Sequence, residues 1–329
     1  MSEPAAEPQQ RKAGQTRMSS RSVAVPDELL GERADVVLAE LLNISRSQAA
    51  ALIADGRVTI DSQPVMKSMR IESPVWLKVD IPHVDDEPEV AAALQAPDVE
   101  LPVIYADDDI VIIDKPAGVA AHPSVGWAGP TVSQSLKAMG LQLPTVGVEE
   151  REGIVHRLDV GTSGVMAVTL NARAYSHLKQ QFRDRTVAKT YHTVVQGHPH
   201  PTSGTIDAPI GRHPGADYKF AVRSDGRQAI THYDTIEAFR FATLLSVELE
   251  TGRTHQIRVH MQATKHACVG DPTYGGDPVL ASRLRLTRQW LHAVELGFEH
   301  PDTGQQVSFS STYPDDLQHA LDMLEEWTH

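Results

Sequence analysis

Apolar positions between residues 26 and 82 follow first a helical and then a strand period. Val36, Val37, Leu38, Leu41 and Leu42 recur at helical spacing. So do Ala49, Leu52 and Ile53, in a second segment that Ser45 or Ser47 can cap and Gly56 can end. RVTIDSQPV then reads as strand, turn and strand, and PVWLKVDIP as a last strand. Two helices followed by a small sheet predict a compact αα-β module over residues 26–82.

Residues 83–100, HVDDEPEVAAALQAPDVE, are acidic and bounded by prolines, the composition of a linker with room for one short helix. A larger domain is predicted over 101–329. Its run IVIID is apolar enough for a buried strand, which KPAG breaks into a turn. GVMAVTL predicts another strand, and Asn171 can cap a helix, ARAYSHLKQQFRDR, whose Ala174, Leu178 and Phe182 share a face. TVAKTYHTVVQG predicts a strand with Tyr191 and Thr193 on one side. FATLLSVELETGRTHQIRVHM passes from strand to helix, with Thr254 as the predicted cap and Ile257 and Met261 four apart. A glycine–proline loop, GDPTYGGDP, follows.

Strands outnumber helices without regular alternation. The fold class is therefore α+β, a large mixed or antiparallel sheet with a small αα-β module in front of it. Residues 1–25, rich in Pro, Ala, Gln and Ser, hold too little apolar surface to fold alone and are expected to be a disordered tail, with Met18 a candidate internal start.

The 329 residues are 41% hydrophobic and 22% charged, ordinary values for a globular chain with a real core. No apolar run approaches the roughly 20 residues of a membrane span. The polar N-terminus also lacks the apolar core of a secretory signal, so a cytoplasmic protein without a membrane partner is expected. The single cysteine, Cys268, excludes an internal disulfide framework and a multi-cysteine metal site. A net charge of -13 argues against nucleic acid until its distribution is read. Residues 151–290 carry 18 Lys and Arg against 12 Asp and Glu. Residues 83–110 carry 9 acids and no base, and residues 291–329 carry 8 acids and no base. The field that phosphates meet is local, so the global sign is weak evidence.

The chemistry gathers at GIVHRLDVGTSG, residues 153–164. Asp159 stands alone there, without a second carboxylate or metal-ligand spacing, before a turn in which Gly161 and Gly164 admit backbone angles other residues resist. Loops braced on a sheet often carry catalysis, yet an Asp at such a place can equally cap the turn. Arg258 falls in the first turn of its predicted helix, where the helix dipole disfavours a cation unless a carboxylate compensates it. Asp159 is one candidate partner, and a cation there would keep it ionised as a nucleophile or general base. An ordinary surface arginine is the alternative.

Sixteen histidines invite a metal-dependent hydrolase, but HPH and HQIRVH offer neither HExxH nor a clear third ligand, so no metal is expected. Ser163 lacks the GxSxG elbow of a Ser–His–Asp hydrolase. No phosphate-loop or dinucleotide glycine motif is present, and no cofactor is expected.

GIVHRLDVGTSGVMAV resembles the HRLDxxTSG signature of the ribosomal large-subunit type of pseudouridine synthases. IVIIDKPAGVAAHPS, AKTYHTVVQG and TGRTHQIRVHM with VGDPTYGG resemble that family's other motifs, in the expected order over roughly residues 100 to 310. Residues 26–82 resemble the S-four RNA-binding module. The resemblance implies an isomerase that converts uridine to pseudouridine, with Asp159 as the essential aspartate, Tyr191 against the target uracil and Arg258 paired to Asp159. Arg157 would fill the gap left by the everted nucleotide. His156, Arg157, Arg46, Arg57 and Lys67 are the expected RNA contacts. Large-subunit ribosomal RNA, within a ribosomal precursor particle, is the expected substrate of a monomer. Transfer RNA, or a non-catalytic role in ribosome assembly, are the alternatives.

Overall fold

In the computed structural model of the chain, which describes residues 18–25, 29–42, 44, 46–73, 75–82, 99–123, 127, 129–145, 152–216 and 219–328, burial follows the apolar periodicity. The chain divides into two compact units, Met1–Gln95 and Ala96–His329. The expected linker at 83–100 lies outside the described residues apart from its last two positions, as does Ser45.

The small unit runs β1 (Met18–Ala24), α1 (Ala34–Leu42), α2 (Arg46–Ala54), β2 (Val58–Ile60), β3 (Gln63–Pro64) and β4 (Trp76–Pro82). Its sheet has the order β1-β4-β2-β3. Val37 and Leu38 of α1 and Ala49 and Ile53 of α2 pack with Val58, Leu77 and Val79 of the sheet into one core. Gly56, at φ +68, ends α2, and Asp61 and Ser62, both at positive φ, make the two-residue turn between β2 and β3. One expectation is corrected here. The segment read as the end of a disordered tail is strand β1, paired with β4 from Met18↔Pro82 to Ala24↔Trp76. A ladder of backbone hydrogen bonds along the edge of β4 orders it, and composition does not register such a ladder.

The large unit runs β5 (Val103–Ala106), β6 (Ile110–Lys115), α3 (Val132–Ala138), β7 (Ser163–Thr169), α4 (Ala172–Asp184), β8 (Ala188–Gln196), β9 (Ser203–Asp207), β10 (Ile210–Arg212) and β11 (Phe220–Val222). It continues with β12 (Ile230–Ala238), β13 (Ala242–Leu249), α5 (Gln256–Ala263), α6 (Pro278–Arg283), β14 (Leu291–Glu299), β15 (Gln306–Ser310) and α7 (Asp315–Glu326). Among the described residues nine strands form one mixed sheet in the order β5-β6-β7-β14-β8-β13-β12-β9, with β15 also on β14. β7 and β14 pair in parallel and their other neighbours are antiparallel. β10 and β11 form a separate hairpin.

The apolar run in β6 is explained by cover on both faces. Val111 and Ile113 join the core that holds Tyr191, Val247 and Ile257. Ile110 and Ile112 face the opposite core, with Leu178 of α4 and Phe298 of β14. Asn171 caps α4, its side chain accepting the Ala174 N–H at 2.9 Å. Among the described residues no helix is long and apolar enough to cross a membrane.

Candidate active site

Asp159 lies on the segment that leads into β7, and backbone contacts fix that segment first. The N–H and the Oγ1 of Thr169 both donate to Gly153 O at 3.0 Å. Gly118 N–H donates to Val160 O at 2.8 Å, and Thr162 N–H to Asp159 O at 2.9 Å, closing a turn beside the acid. Arg288 donates Nη1 to Gly161 O at 3.0 Å and is clamped in turn by Asp316 at 2.6 and 2.8 Å. Gly164 has φ +116, and a Cβ there would stand 2.2 Å from Ala293 O, so glycine alone allows the close parallel approach of β14. Gly161 was expected to supply unusual angles too, but it has no positive φ. Room is what it provides, since a Cβ would meet Gln289 Oε1 at 2.6 Å.

Arg258 arrives from α5. The expected cap, Thr254, does not start this helix: His255 is the N-cap, in left-handed backbone (φ 57, ψ 22) and without a side-chain cap bond. Gln256 compensates by folding its amide back, accepting from Arg253 N–H at 2.9 Å and from Thr251 Oγ1 at 2.8 Å. This turn sets Arg258 between two carboxylates. Its Nε and Nη2 donate to Asp271 at 2.7 and 2.9 Å, and its Nη1 donates to Asp159 Oδ2 at 3.3 Å. Asp271, in the glycine–proline loop, was not singled out in the sequence. It also accepts the Thr273 and Tyr274 N–H groups at 2.8 and 2.9 Å and is the principal anchor of Arg258. An acid directly before Pro-Thr-Tyr-Gly-Gly, with N–H donors in the following turn, was the available signal.

Burial acts to raise the pKa of Asp159, but His255, Arg258 and Arg157, with the Arg258 hydrogen bond, outweigh it and hold the carboxyl below its ordinary range. Burial also lowers the pKa of His255. That imidazole is uncharged at neutral pH, so the lasting field on Asp159 comes from the two arginines. Tyr191, on β8, is 8% exposed. Burial, and then the Asp159 charge, push its pKa up and keep the phenol protonated.

Arg157, Asp159, Tyr191, His255 and Arg258 line one open cleft. A wider groove shares Arg157, Tyr191 and Arg253 and adds Arg183, Arg185, Lys189 and Arg227, with Glu250 as the acid among its described lining residues. The charge at the cleft is thus opposite in sign to that of the chain.

His156 lines the groove, but its ring serves the fold. Nε2 accepts the Ala167 N–H at 2.9 Å, and the ring stacks on Phe182 with centroids 4.8 Å apart. Burial, helped by Lys189, lowers its pKa to about 3, so it brings no charge to a phosphate. Ser163, weighed as a nucleophile, is buried and bonded to His292 Nδ1 at 2.9 Å. In the small unit Lys67 is exposed, Arg46 meets Asp35 at 3.4 Å and Arg57 meets Asp55 at 3.4 Å. Among the described residues no three His, Cys, Asp or Glu gather as metal ligands.

The RNA pseudouridylate synthase family matches residues 109–263, and the S4 domain matches residues 32–73. An uncharacterized RNA pseudouridine synthase of Mycobacterium bovis is 56% identical over 310 residues, covering 93% of this chain and 99% of that protein. The ribosomal large subunit pseudouridine synthase D of Pseudomonas aeruginosa is 40% identical over 319 residues, covering 94% of this chain and 97% of that protein. Among solved structures, human RNA pseudouridylate synthase domain containing 1 aligns at a TM-score of 0.53 and 26% identity, over 69% of this chain and 94% of that one.

Proposed function

The chain belongs to the RNA pseudouridylate synthase family and is an isomerase of RNA uridine; from that premise we propose that it acts on large-subunit ribosomal RNA with Asp159 as its reacting group. The reaction breaks the bond from C1′ of ribose to N1 of uracil, turns the base and joins C1′ to C5. A proton leaves C5 and one is gained at N1, with no redox change and no net hydrolysis. One ionised carboxylate can serve such a rearrangement, provided the detached uracil is retained and water is kept from the sugar.

The observation that carries this reading is the ionised Asp159 at the lining of an open cleft, held through Oδ2 by a braced Arg258 and with no hydrogen bond to Oδ1 among the described residues. A uridine must leave its stack to reach that oxygen, which costs a few kcal/mol. Arg157 entering the vacated gap and Tyr191 lying against the everted base would offset part of the cost. The cations of the neighbouring groove supply phosphate contacts.

The name of the Pseudomonas aeruginosa relative supports ribosomal RNA of the large subunit as substrate. That substrate places the enzyme in the cytoplasm, on a precursor particle whose RNA is still accessible. Asp159, Tyr191 and Arg258 line a single cleft without needing a second copy, consistent with action as a monomer. The S4 domain, through Lys67, Arg46 and Arg57, contributes affinity and choice of site with little part in the chemistry.

The test is tritium release from 5-tritiated uridine in a large-subunit transcript. Wild type should release tritium, and Asp159→Asn should lower single-turnover release by more than about 10⁴-fold while still binding RNA. Full activity in that variant would sink the assignment.

A further inference from the structure

His255 faces Asp159 across the cleft, and the reaction as described leaves it without a task. Its hydrogen bonds determine where its proton sits. Tyr274 Oη accepts the Phe220 N–H at 2.9 Å, so the hydroxyl proton is left to donate, and His255 Nδ1 lies 2.7 Å away. A neutral imidazole whose Nδ1 accepts carries its proton on Nε2. Nε2 is the nitrogen turned toward Asp159, 4.0 Å from Oδ1. Phe220 and Tyr274 hold the ring edge-on, with centroids 5.7 and 5.5 Å away. The groups facing it are Asp159, Arg258, Arg157 and Asp271; burial, joined by the two arginines, outweighs the two carboxylates and holds the ring's pKa below its ordinary value. The residue also adopts left-handed backbone, uncommon for a side chain with a Cβ and found where a site depends on its placement.

We propose that His255 is a further catalytic residue, whose Nε2–H donates a hydrogen bond to a carbonyl oxygen of the uracil as the ring detaches from the sugar. This rests on the isomerase reading above. Cleavage of the bond between C1′ and N1 leaves its electron pair on the ring, shared with the carbonyl oxygens. Nε2 keeps its proton throughout, and the pair enters the new bond between C5 and C1′. The distance matters: 4.0 Å is too long for a hydrogen bond to the resting carboxylate. The N–H is therefore available to charge that appears during the reaction, the condition for lowering a barrier rather than tightening binding.

Two measurements on the full chain test this. In protein labelled with ¹⁵N-histidine, the His255 resonances, assigned by their loss in His255→Gln, should report the Nε2–H tautomer, and Tyr274→Phe should remove that preference. In single-turnover tritium release, His255→Asn keeps a residue tolerant of left-handed backbone but shortens the reach, and should slow the reaction about 10²-fold. His255→Gln restores a long N–H donor and should recover most of the rate, while RNA binding stays within about twofold in each variant. An Nδ1–H tautomer in wild type, or a wild-type rate in His255→Asn beside an inactive Asp159→Asn, overturns the proposal. An active Asp159→Asn would instead bring down the isomerase reading, and this proposal with it.

Discussion

Asp35 in the small unit and Asp159 in the large one are both shielded acids held by arginine, and their oxygens are used differently. Asp35 is 2% exposed; its Oδ1 takes Arg33 Nε at 3.0 Å, and its Oδ2 takes Arg33 Nη2 at 3.2 Å and Arg46 Nη2 at 3.4 Å. The Asp159 side chain is 15% exposed and lines the cleft, with one arginine contact on Oδ2 and no hydrogen bond to Oδ1 among the described residues. In both, burial raises the pKa and nearby cations lower it further than burial raises it. The direction of the shift therefore does not separate a structural acid from a reactive one. The separation lies in the uncommitted oxygen and in the cation's own support. Arg33 and Arg46 expose 39% and 57% of their side chains, whereas Arg258 exposes 7% and is braced by a fully buried Asp271.

If that bracing is what keeps Asp159 half free, its removal should have the largest effect on the protein's stability. Asp271→Ala leaves Arg258 buried with Asp159 as its remaining carboxylate, and deprives the Thr273 and Tyr274 N–H groups of their acceptor. Breaking a buried pair by removing one partner costs about 3–5 kcal/mol, read here by urea unfolding. Arg258 should then turn onto both oxygens of Asp159, so turnover at saturating RNA should fall as well. A loss below about 1 kcal/mol would make Asp271 no more important than a surface partner, and the contrast with Asp35 would fail.

The large unit also buries a cation that makes no ion pair among the described residues, and this should give it a pH dependence that Asp35 cannot give the small unit. Among the described residues Lys115 Nζ donates to Pro116 O at 2.9 Å and Val119 O at 2.8 Å, and the residue is fully buried. Burial lowers its pKa from 10.5 to about 7, with Asp159 opposing and Arg288 adding to the shift. Between those two values the unfolded chain keeps a proton that the folded chain has released. Unfolding free energy through Lys115 therefore rises with pH across that window and levels off above it. Urea unfolding of the large unit at about pH 7 and about pH 9 should show the rise, and Lys115→Met should flatten it. An unchanged slope in the variant would mean that Lys115 stays charged.

How much of this was legible in the sequence depends on whether a feature is periodic, positional or relational. The strand at Ile110–Lys115 and the capped helix from Ala172 follow from period and composition, which act locally. The start of α5 did not, because a left-handed histidine has no compositional mark and Thr254 is the better cap by residue type. The pairing of Asp159 with Arg258 was a candidate on dipole grounds, but the stronger partner Asp271 lies 13 residues from Arg258, in a loop that reads only as a turn. His156 is an expected RNA contact, but its acceptor bond to a β7 amide depends on strand placement that no local pattern encodes. Strand β1 was missed for the same reason.

A smaller effect should come from the small unit. Asp35→Asn keeps the volume but surrenders the charge that holds two arginines, and should cost about 1–3 kcal/mol in the unfolding of that unit. Turnover at saturating RNA should not change, because neither oxygen of Asp35 is open to a ligand. A variant that binds RNA normally yet turns over tenfold slower would show that Asp35 is coupled to the chemistry, and would end its use as the structural member of the comparison.

The smallest effect tests whether the Asp159 loop needs support from outside its own turn. Asp316 on α7 clamps Arg288, and Arg288 holds Gly161 O, two residues beyond Asp159. Asp316 exposes 43% of its side chain, so the ion pair itself is worth only about 0.2–1 kcal/mol and Asp316→Asn should barely move the unfolding midpoint. Its kinetic effect should be out of proportion to that. A freed Arg288 releases the carbonyl of Gly161, the turn closed by Thr162 N–H onto Asp159 O loosens, and Oδ1 samples orientations in which it does not meet the sugar. Single-turnover release should slow a few-fold with RNA affinity unchanged, and Asp316→Glu, which restores the carboxylate, should regain the rate. Equal rates in all three proteins would show that the turn's backbone bonds place the acid unaided, and that Asp159 differs from Asp35 in its oxygens alone.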